Sequence, residues 1–309
     1  MTDTSKSDAS ANGSGDQARR ILVTGAAGML GSQVLLAVPD DATALGTDMR
    51  EAHGVDLPGV DLCDPEQVAE AFRSLAPLDG IIHAAAFTAV DKAEEEPELA
   101  QAINGDACGI LARAAAEADI PLVIVSTDFV FDGTQETPYD EESTPNPQSV
   151  YGRTKLDGER QAIAAHPGGT RIVRTQWLYG PRGSHFPHTM QRLARERDKL
   201  KVVADQIGSP TSTLELAPAL WDVLTSGEAG IWHAACEGSC SWFDLAVATI
   251  DASDIEGVTV DPCTTAEFPR PAARPAYSVL DCSKLERLRS KPLARWKDAL
   301  LTYLGSESE

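Results

Sequence analysis

A tyrosine and a lysine form the first candidate for chemistry in this sequence. Tyr151 and Lys155 lie four residues apart in a segment with helical periodicity, so both side chains would project from one face of a helix. An ammonium group beside a phenol makes the phenol proton easier to transfer, as a general acid requires. A surface tyrosine near a surface lysine would show the same spacing, so the pair also needs a suitable position in the fold.

A glycine-rich turn is the second candidate. The motif TGAAGMLG, residues 24–31, directly follows an apolar run and opens a helical segment. Glycines at this spacing allow a tight turn, let a pyrophosphate approach the backbone at a helix N-terminus, and let the helix pack on the strand. Turn glycines can be purely steric, but the strand before and the helix after favour a dinucleotide site. The predicted cofactor residues of this turn are Gly25, Gly28, Met29, Leu30 and Gly31.

Two residues near the end of the second apolar run bear on the type of dinucleotide. Asp48 ends that run, where a carboxylate would accept hydrogen bonds from the adenosine ribose hydroxyls and favour NADH. Arg50, two residues later, could instead hold a 2′-phosphate and favour NADPH. The residues themselves leave the choice between NADH and NADPH open.

These residues need a scaffold, and the pattern of apolar runs predicts one. Short apolar runs alternate with longer segments of helical spacing from residue 20 onward. Short strands separated by helices predict a parallel sheet covered on both faces, because parallel neighbours require a crossover connection. The predicted strands are 21–23, 42–48, 80–86, 122–127 and 171–180, and the predicted helices are 28–38, a segment around 68–75, 99–119, 151–165, 188–198, 213–225 and 242–251.

The predicted fold class is therefore α/β, a doubly wound parallel sheet of the Rossmann type with a smaller C-terminal substrate-binding domain. We place the dinucleotide-binding domain at residues 20–180 and the smaller domain at 181–309, with parts of the latter packing back on the core. The smaller domain would close over the carboxyl edge of the sheet, where ligands bind in open α/β folds. Residues 1–19 are polar and lack periodicity, so we expect a disordered tail there.

The composition excludes several classes of function. The 309 residues include 47 Asp and Glu against 26 Lys and Arg, and the formal net charge of −21 would repel nucleic acids and anionic lipids. No apolar run is long enough to span a bilayer and no secretory signal is visible, so we expect a cytoplasmic protein. Only 8 of the 26 cationic residues are lysines. A low lysine content together with an excess of acidic residues is typical of a salt-adapted protein in a high-salt cytosol. Six scattered cysteines without a CxxC motif indicate reduced thiols, and we expect no metal site.

Several longer motifs carry a family resemblance. Together they resemble the extended short-chain dehydrogenase/reductases, and within that superfamily the dTDP-4-dehydrorhamnose reductases. The resemblance extends over nearly all of the chain after the tail. The motifs are TGAAGMLG (24–31), HAAAFTAVDKAEEEPELAQAIN (83–104), VSTDFVFDG (125–133), PNPQSVYGRTKLDGE (145–159), RTQWLYG (174–180), VVADQIGSPT (202–211), GIWHAACEGSCSWFDLA (230–246) and RPAYSVLDCSKL (274–285).

The resemblance implies a catalytic triad of Thr127, Tyr151 and Lys155. Tyr151 would donate a proton to the C4 oxygen of a 4-keto sugar, while NADPH or NADH delivers hydride to the carbon. Lys155 would hold the nicotinamide ribose and lower the tyrosine pKa, and Thr127 would hydrogen-bond the substrate oxygen. Further cofactor contacts are implied for Asp61, Leu62, Ala84, Ala85, Ala86 and Thr88, and substrate contacts for Asp128, Phe129 and Trp177.

The function implied is the reduction of dTDP-4-dehydro-β-L-rhamnose to dTDP-β-L-rhamnose for surface polysaccharide or glycoprotein glycans. The partner is then a nucleotide-sugar substrate, with a homodimer as a possible assembly. Two alternatives stay open. One is a nucleotide-sugar 4-epimerase or dehydratase of the same fold, and the other is a non-catalytic regulatory subunit resembling that of methionine adenosyltransferase.

Other chemistry-bearing residues have a simpler interpretation. His83 and His185 replace an expected asparagine; we expect His83 to be hydrogen-bonded beside the cofactor, and His185 with His188 not to bind metal. The acidic runs at 91–98 and 139–143 are predicted to be solvated faces. The tryptophans Trp221, Trp232, Trp242 and Trp296 are predicted to pack in the core.

Overall fold

The computed structural model describes residues 18–306. The predicted disordered tail therefore lies outside the described residues, apart from its last two positions. Arg19, the last of them, already begins the first strand, one residue earlier than the predicted start of the dinucleotide-binding domain.

Seven parallel strands form the central sheet. Its order is β11-β6-β5-β4-β1-β2-β3, which places β1 and β4 side by side at the centre. Short strands in the C-terminal half pair two by two outside this sheet. The strands are β1 Arg19–Thr24, β2 Ala42–Asp48, β3 Leu57–Pro58, β4 Gly80–His83, β5 Leu122–Thr127, β6 Thr170–Thr175, β7 Leu178–Tyr179, β8 Lys199–Val203, β9 Ile207–Gly208, β10 Thr211–Ser212, β11 Gly230–His233, β12 Cys240–Ser241 and β13 Thr259–Cys263.

Helices connect the strands and cover both faces of the sheet. The segment 97–117 is helical throughout, with a π-helical stretch at Ala102–Asp106 between α4 and α5. The helices are α1 Met29–Leu36, α2 Pro65–Leu75, α3 Val90–Glu95, α4 Pro97–Gln101, α5 Ala107–Glu117, α6 Val150–Ala165, α7 Phe186–Glu196, α8 Thr213–Ser226, α9 Trp242–Ala252, α10 Ser283–Arg289 and α11 Trp296–Ser306.

The alternation of side chains along the strands builds two cores. In β1, Ile21 and Val23 point to the face that packs against α8, whereas Leu22 points to the face covered by α5 and α6. Successive strand residues alternate between faces, so a strand buried on both sides is apolar along its whole length. The predicted α/β class with a doubly wound parallel sheet is confirmed.

The C-terminal half adds a strand to this sheet and packs against it. Strand β11 pairs with β6 at one sheet edge, and Trp221 of α8 donates its indole N–H to the Val34 carbonyl of α1 at 3.0 Å. The remaining short strands form pairs, such as β13 with β8, around helices α7 and α9. The division at residue 180 therefore stays a prediction, with at least two C-terminal elements packed on the N-terminal half.

One predicted element is broken in two. The run 171–180 was expected to be a single strand, but β6 ends at Thr175 and β7 begins at Leu178. Trp177 between them has a φ of +49°, a left-handed conformation that interrupts an extended chain. Within the described residues, no helix is both long enough and apolar enough to cross a membrane.

Candidate active site

The glycine-rich turn leaves room at the carboxyl end of β1. Gly25 has a φ of +69°, and a Cβ atom there would lie 2.6 Å from the backbone nitrogen of Ala85. Gly28 closes the turn by donating its N–H to the Gly25 carbonyl at 2.9 Å and forms the N-cap of α1 without a side-chain cap. A helix N-terminus without a side chain over it is suited to binding phosphate oxygens.

A cavity of about 720 Å³ runs from this turn along the ends of the strands. All of the predicted cofactor residues except Gly31 line it. Gly31 lies behind the turn, where a side chain would collide with the Gly25 backbone. The predicted residues that line the cavity are Gly25, Gly28, Met29, Leu30, Asp48, Arg50, Asp61, Leu62, Ala84, Ala85, Ala86, Thr88, Tyr151 and Lys155.

Asp48 and Arg50 share one end of the cavity. Asp48 accepts the Ala27 N–H through Oδ2 at 3.1 Å, and through Oδ1 it accepts the Arg50 backbone N–H at 3.0 Å. The Arg50 guanidinium is 3.4 Å from Oδ1, and its side chain is 70% exposed. Asp48 thus supports the glycine-rich turn and pairs with Arg50, whose largely exposed guanidinium lines the same end of the cavity.

His83 lines the same cavity. The sequence predicted a hydrogen-bonded histidine beside the cofactor at this position. Its Nδ1 is 2.6 Å from the Thr24 hydroxyl, and its Nε2 is buried with no hydrogen-bond partner among the described residues. Burial, with the nearby positive charge of Lys155, lowers the pKa of His83 to about 3, so the ring is neutral. The expectation of a fully hydrogen-bonded histidine holds for one ring nitrogen only.

The predicted triad is brought together from β5 and α6. Thr127 ends β5 with its hydroxyl close to the Tyr151 phenol, whose pKa it lowers. Ser149 caps α6 by accepting the Gly152 N–H at 3.1 Å, which fixes the first turn that carries Tyr151. Lys155 is 3% exposed and donates from Nζ to the Val125 carbonyl of β5 at 2.8 Å.

The electrostatics of the triad differ from the expectation in one respect. Burial and, to a smaller extent, the neighbouring Asp128 together raise the pKa of Tyr151 to about 12, although the Thr127 hydroxyl opposes this shift. Lys155 was expected to lower this pKa, but its own pKa is lowered by burial and it is not among the groups that shift the phenol. Tyr151 therefore holds its proton at neutral pH, as a proton donor must.

Asp128 is the buried carboxyl group of the site. Its side chain is 1% exposed, and its Oδ1 accepts the Thr127 hydroxyl at 3.0 Å. Burial raises the pKa of Asp128 to about 6, although the nearby Ser278 and Thr127 hydroxyls oppose the shift. Oδ2 of Asp128 has no hydrogen-bond partner among the described residues, because Ser278 donates instead to the Gln176 amide oxygen at 3.2 Å.

Aromatic rings lie on the C-terminal side of the triad. Phe129 contacts Tyr151 edge-on with ring centroids 5.4 Å apart, and Trp177 stacks on Trp242 with centroids 3.6 Å apart. Gly208 makes this stack possible, since a Cβ atom there would lie 2.6 Å from the Trp177 ring. Trp221, Trp232 and Trp296 are buried as predicted, but Trp242 is only half-buried and lines a second cavity, which corrects its assignment to the core.

The second cavity, of about 790 Å³, lies between α7, β8 and residues 265–274. Its walls combine apolar and aromatic side chains with cations, in a chain whose net charge is −21. Sequence reasoning missed these cations, because no local motif groups them. The cations are Arg197, Lys199, Lys201, Arg270 and Arg274, and the aromatic residues are Phe186, Trp242 and Phe268.

Comparisons with known proteins agree with this arrangement. The family model described as RmlD substrate binding domain matches residues 19–308. The chain belongs to the RmlD substrate binding domain family. The resemblance to dTDP-4-dehydrorhamnose reductases indicated by the sequence motifs is thereby confirmed. A curated dTDP-4-dehydrorhamnose reductase from Mycolicibacterium smegmatis is 42% identical over 286 residues, covering 92% of this chain and 84% of that protein.

Solved structures of the RmlD type share the fold. A dTDP-4-dehydrorhamnose reductase from Clostridium acetobutylicum superposes with a TM-score of 0.86 at 40% identity, over 94% of this chain and 100% of that one. The Bacillus anthracis dTDP-4-dehydrorhamnose reductase, solved in complex with NADP, also gives a TM-score of 0.86 at 35% identity, over 93% and 99% of the two chains.

His185 makes hydrogen bonds within the protein through both ring nitrogens. His185 caps α7 by accepting the His188 N–H on Nδ1 at 3.3 Å, and its Nε2 lies 3.1 Å from the Tyr303 hydroxyl. Both ring nitrogens of His185 are therefore used within the protein. In the part of the chain that the structure describes, no group of three or more His, Cys, Asp or Glu side chains could hold a metal ion.

Proposed function

We propose that this protein reduces the C4 keto group of dTDP-4-dehydro-β-L-rhamnose with NADPH or NADH, giving dTDP-β-L-rhamnose for surface polysaccharide or glycoprotein glycans. The observation that carries the proposal is the convergence of Thr127, Tyr151 and Lys155 beside a cavity floored by a glycine-rich turn. Family membership supports the same chemistry.

The residues of the first cavity fit a dinucleotide. The turn at Gly25 is a cradle that a Cβ atom would fill, and the N-terminus of α1 is open to phosphate oxygens. The unpartnered Nε2 of His83 offers a further polar contact along the groove. When bound, NADPH or NADH supplies the hydride that the protein itself cannot provide.

The side chains then divide the remaining work. Tyr151 donates its phenolic proton to the C4 oxygen as negative charge develops there, and the Thr127 hydroxyl holds the same oxygen. Lys155, held by the Val125 carbonyl, would contact the nicotinamide ribose of the bound dinucleotide. Addition of hydride to carbon and of the proton to oxygen converts the ketone to the alcohol.

The rest of the substrate would occupy the second cavity. Its cations suit a diphosphate, and its aromatic residues suit a base and the apolar face of a deoxyhexose. Asp128 accepts the Thr127 hydroxyl, Phe129 contacts Tyr151, and Trp177 stacks on Trp242 of this cavity. We therefore expect these three residues to contact the sugar. A dehydratase would require a second carboxylate after Asp128, and the next residue is Phe129.

The test is the oxidation of NADPH and of NADH by the purified protein at high KCl. The substrate is generated in situ from dTDP-4-keto-6-deoxyglucose by a 3,5-epimerase. Oxidation that depends on the epimerase supports the reductase and gives its cofactor preference. Absence of oxidation by a folded sample would overturn the proposal, and tightly retained NAD in that sample would favour an epimerase or dehydratase.

The same preparation tests the remaining expectations. We propose a cytoplasmic, salt-adapted enzyme that acts as a homodimer. Sedimentation at high and low KCl measures the assembly, and activity that persists unchanged after dialysis into low salt would contradict salt adaptation.

A further inference from the structure

The acidic run at 91–98 is not the uniformly solvated face that its composition predicts. Glu95 and Glu98 are exposed, but Asp91 and Glu94 are half-buried and each is bonded to a distant segment. Both lie on the short helix α3. These two carboxylates therefore bind specific partners instead of facing only solvent.

Asp91 holds an arginine of the second cavity at two points. Nη1 of Arg274 donates to Oδ1 at 2.9 Å and Nη2 donates to Oδ2 at 3.0 Å, although the two residues are 183 positions apart in sequence. Oδ1 also accepts the Ala272 backbone N–H at 3.2 Å, and Arg270 lies 3.6 Å from Oδ2. The hydrogen bonds from the Arg274 guanidinium are the main reason that the pKa of Asp91 lies below its usual value. This carboxylate is therefore ionised at neutral pH.

The contact fixes the middle of the segment 268–274, which we call the cleft strap. Beyond its ends, Thr265 donates its N–H to Asp205 at 2.9 Å, and Ile207 donates to the Ala276 carbonyl at 2.8 Å. Among the described residues, no backbone-to-backbone hydrogen bond holds residues 269–275, so the Asp91 carboxylate is their main polar attachment. Six of the seven strap residues line the second cavity.

Glu94, three residues further along α3, holds the start of α6. Its Oε1 accepts the backbone N–H of Val150 at 2.8 Å, and Val150 is the first residue of α6. First-turn N–H groups have no partner within their own helix, so this bond fixes where α6 begins. Tyr151 is the next residue.

We propose that Asp91 and Glu94 are positioning residues that act from α3 on the two halves of the reaction site. Asp91 presents Arg274 and the cleft strap to the diphosphate of a nucleotide-sugar substrate, an inference that rests on the proposed function. Glu94 sets the position of Tyr151. A two-point ion pair orients a guanidinium as a single charge–charge contact does not, so the geometry as well as the charge of Arg274 matters.

The test compares Asp91→Asn, Glu94→Ala and, as the control on the same helix, Glu95→Ala. We expect Asp91→Asn to weaken binding of dTDP about tenfold and raise KM similarly, with kcat and NADPH binding near wild type. The loss should be absent for thymidine, which lacks phosphates, whereas a general collapse of the cleft would weaken both ligands. Glu94→Ala removes the acceptor of the Val150 N–H, so it should lower kcat and leave dTDP binding unchanged, and Glu95→Ala should change neither. An unchanged kcat in Glu94→Ala would overturn the role of Glu94.

A second variant separates geometry from charge. Arg274→Lys keeps the positive charge but loses the two-point contact, so it should weaken dTDP binding as Asp91→Asn does. If wild-type protein binds dTDP and both variants bind it equally well, the role of Asp91 is overturned while the proposed function stands. If wild-type protein binds no dTDP, the proposed function fails and this inference fails with it.

Discussion

Glu159 and Arg174 form a buried two-point ion pair that joins α6 to β6 directly behind the proposed catalytic residues. Nε and Nη2 of Arg174 donate to Oε1 and Oε2 of Glu159 at 3.0 and 2.7 Å, and the side chains are 4% and 2% exposed. The same carboxylate accepts the hydroxyl of Ser126, the neighbour of Thr127, at 2.5 Å. Glu159 lies one turn beyond Lys155, so the pair ties the catalytic helix to two central strands.

Removal of one partner should therefore be costly. Glu159→Gln leaves a buried guanidinium without its counter-charge, and we expect the free energy of unfolding to fall by about 3–5 kcal/mol. The matched control is Glu196→Gln, which breaks the exposed pair with Arg192 and should cost less than about 1 kcal/mol. Urea unfolding of both variants measures the difference, and equal losses would contradict a structural role for the buried pair.

Asp128 should make stability depend on pH in an unusual direction. Its folded pKa of about 6 lies above the ordinary value of 3.8, so the folded state holds a proton that the unfolded state has lost between these pH values. This group's contribution to stability is present below the ordinary pKa and declines, by about 3 kcal/mol in all, as pH rises through the folded pKa.

Asp128→Asn removes this dependence. The variant should gain stability relative to wild type between about pH 4 and about pH 7, whatever constant offset its altered hydrogen bonds introduce. Unfolding free energies of both proteins at the two pH values give the comparison, in which the contributions of all other groups cancel. Parallel pH profiles would show that Asp128 is not titrating in this range.

Tyr151→Phe tests the proton donor. The variant lacks only the hydroxyl group, so turnover should fall by about 100-fold or more while NADPH binding stays close to wild type. Single-turnover kinetics and fluorescence titration with NADPH provide the two readouts. Near-normal turnover would assign the proton donor to another group.

Gly25→Ala tests the glycine-rich turn. The new Cβ atom would meet the Ala85 backbone at 2.6 Å, so we expect strong loss of dinucleotide binding. Gly59→Ala is the matched control, because Gly59 has a similar φ of +79° with nothing within 4 Å of a Cβ atom. Both variants carry the same backbone strain, and only Gly25→Ala carries the collision. Equal NADPH affinity in the two variants would argue against close approach of the cofactor here.

Arg50→Gln tests the choice of dinucleotide. Arg50 is the exposed cation at the ribose end of the cavity, so its loss should weaken NADPH more than NADH, by about tenfold. Asp48→Ala is a poorer probe than the sequence indicates, because Asp48 also accepts the Ala27 N–H and should affect both cofactors. Michaelis constants for NADPH and NADH decide the matter, and equal changes in Arg50→Gln would exclude a phosphate contact.

Local pattern was enough to predict five of the seven strands of the central sheet and most of the residues proposed to contact the cofactor in the first cavity. The alternation of Ile21, Leu22 and Val23 assigns neighbours to opposite faces, and the spacing of Tyr151 and Lys155 puts both on one face of α6. Such features depend on residues within a single element, whose geometry follows from backbone periodicity. The predicted strand at 42–48 and the strand at 122–127 are confirmed to the residue.

Contacts between distant segments were decided only by the tertiary structure. These contacts join, or change the direction of, parts of the chain that share no local pattern. They are the break at Trp177, the Trp177–Trp242 stack, the cation-lined second cavity and the Asp91–Arg274 pair. An acidic run on a short helix gives the same composition whether its carboxylates face water or a guanidinium 183 residues away. Which of these holds depends on how the packed elements bring the two segments together, because burial and charge pairing are properties of the assembled fold rather than of the run itself.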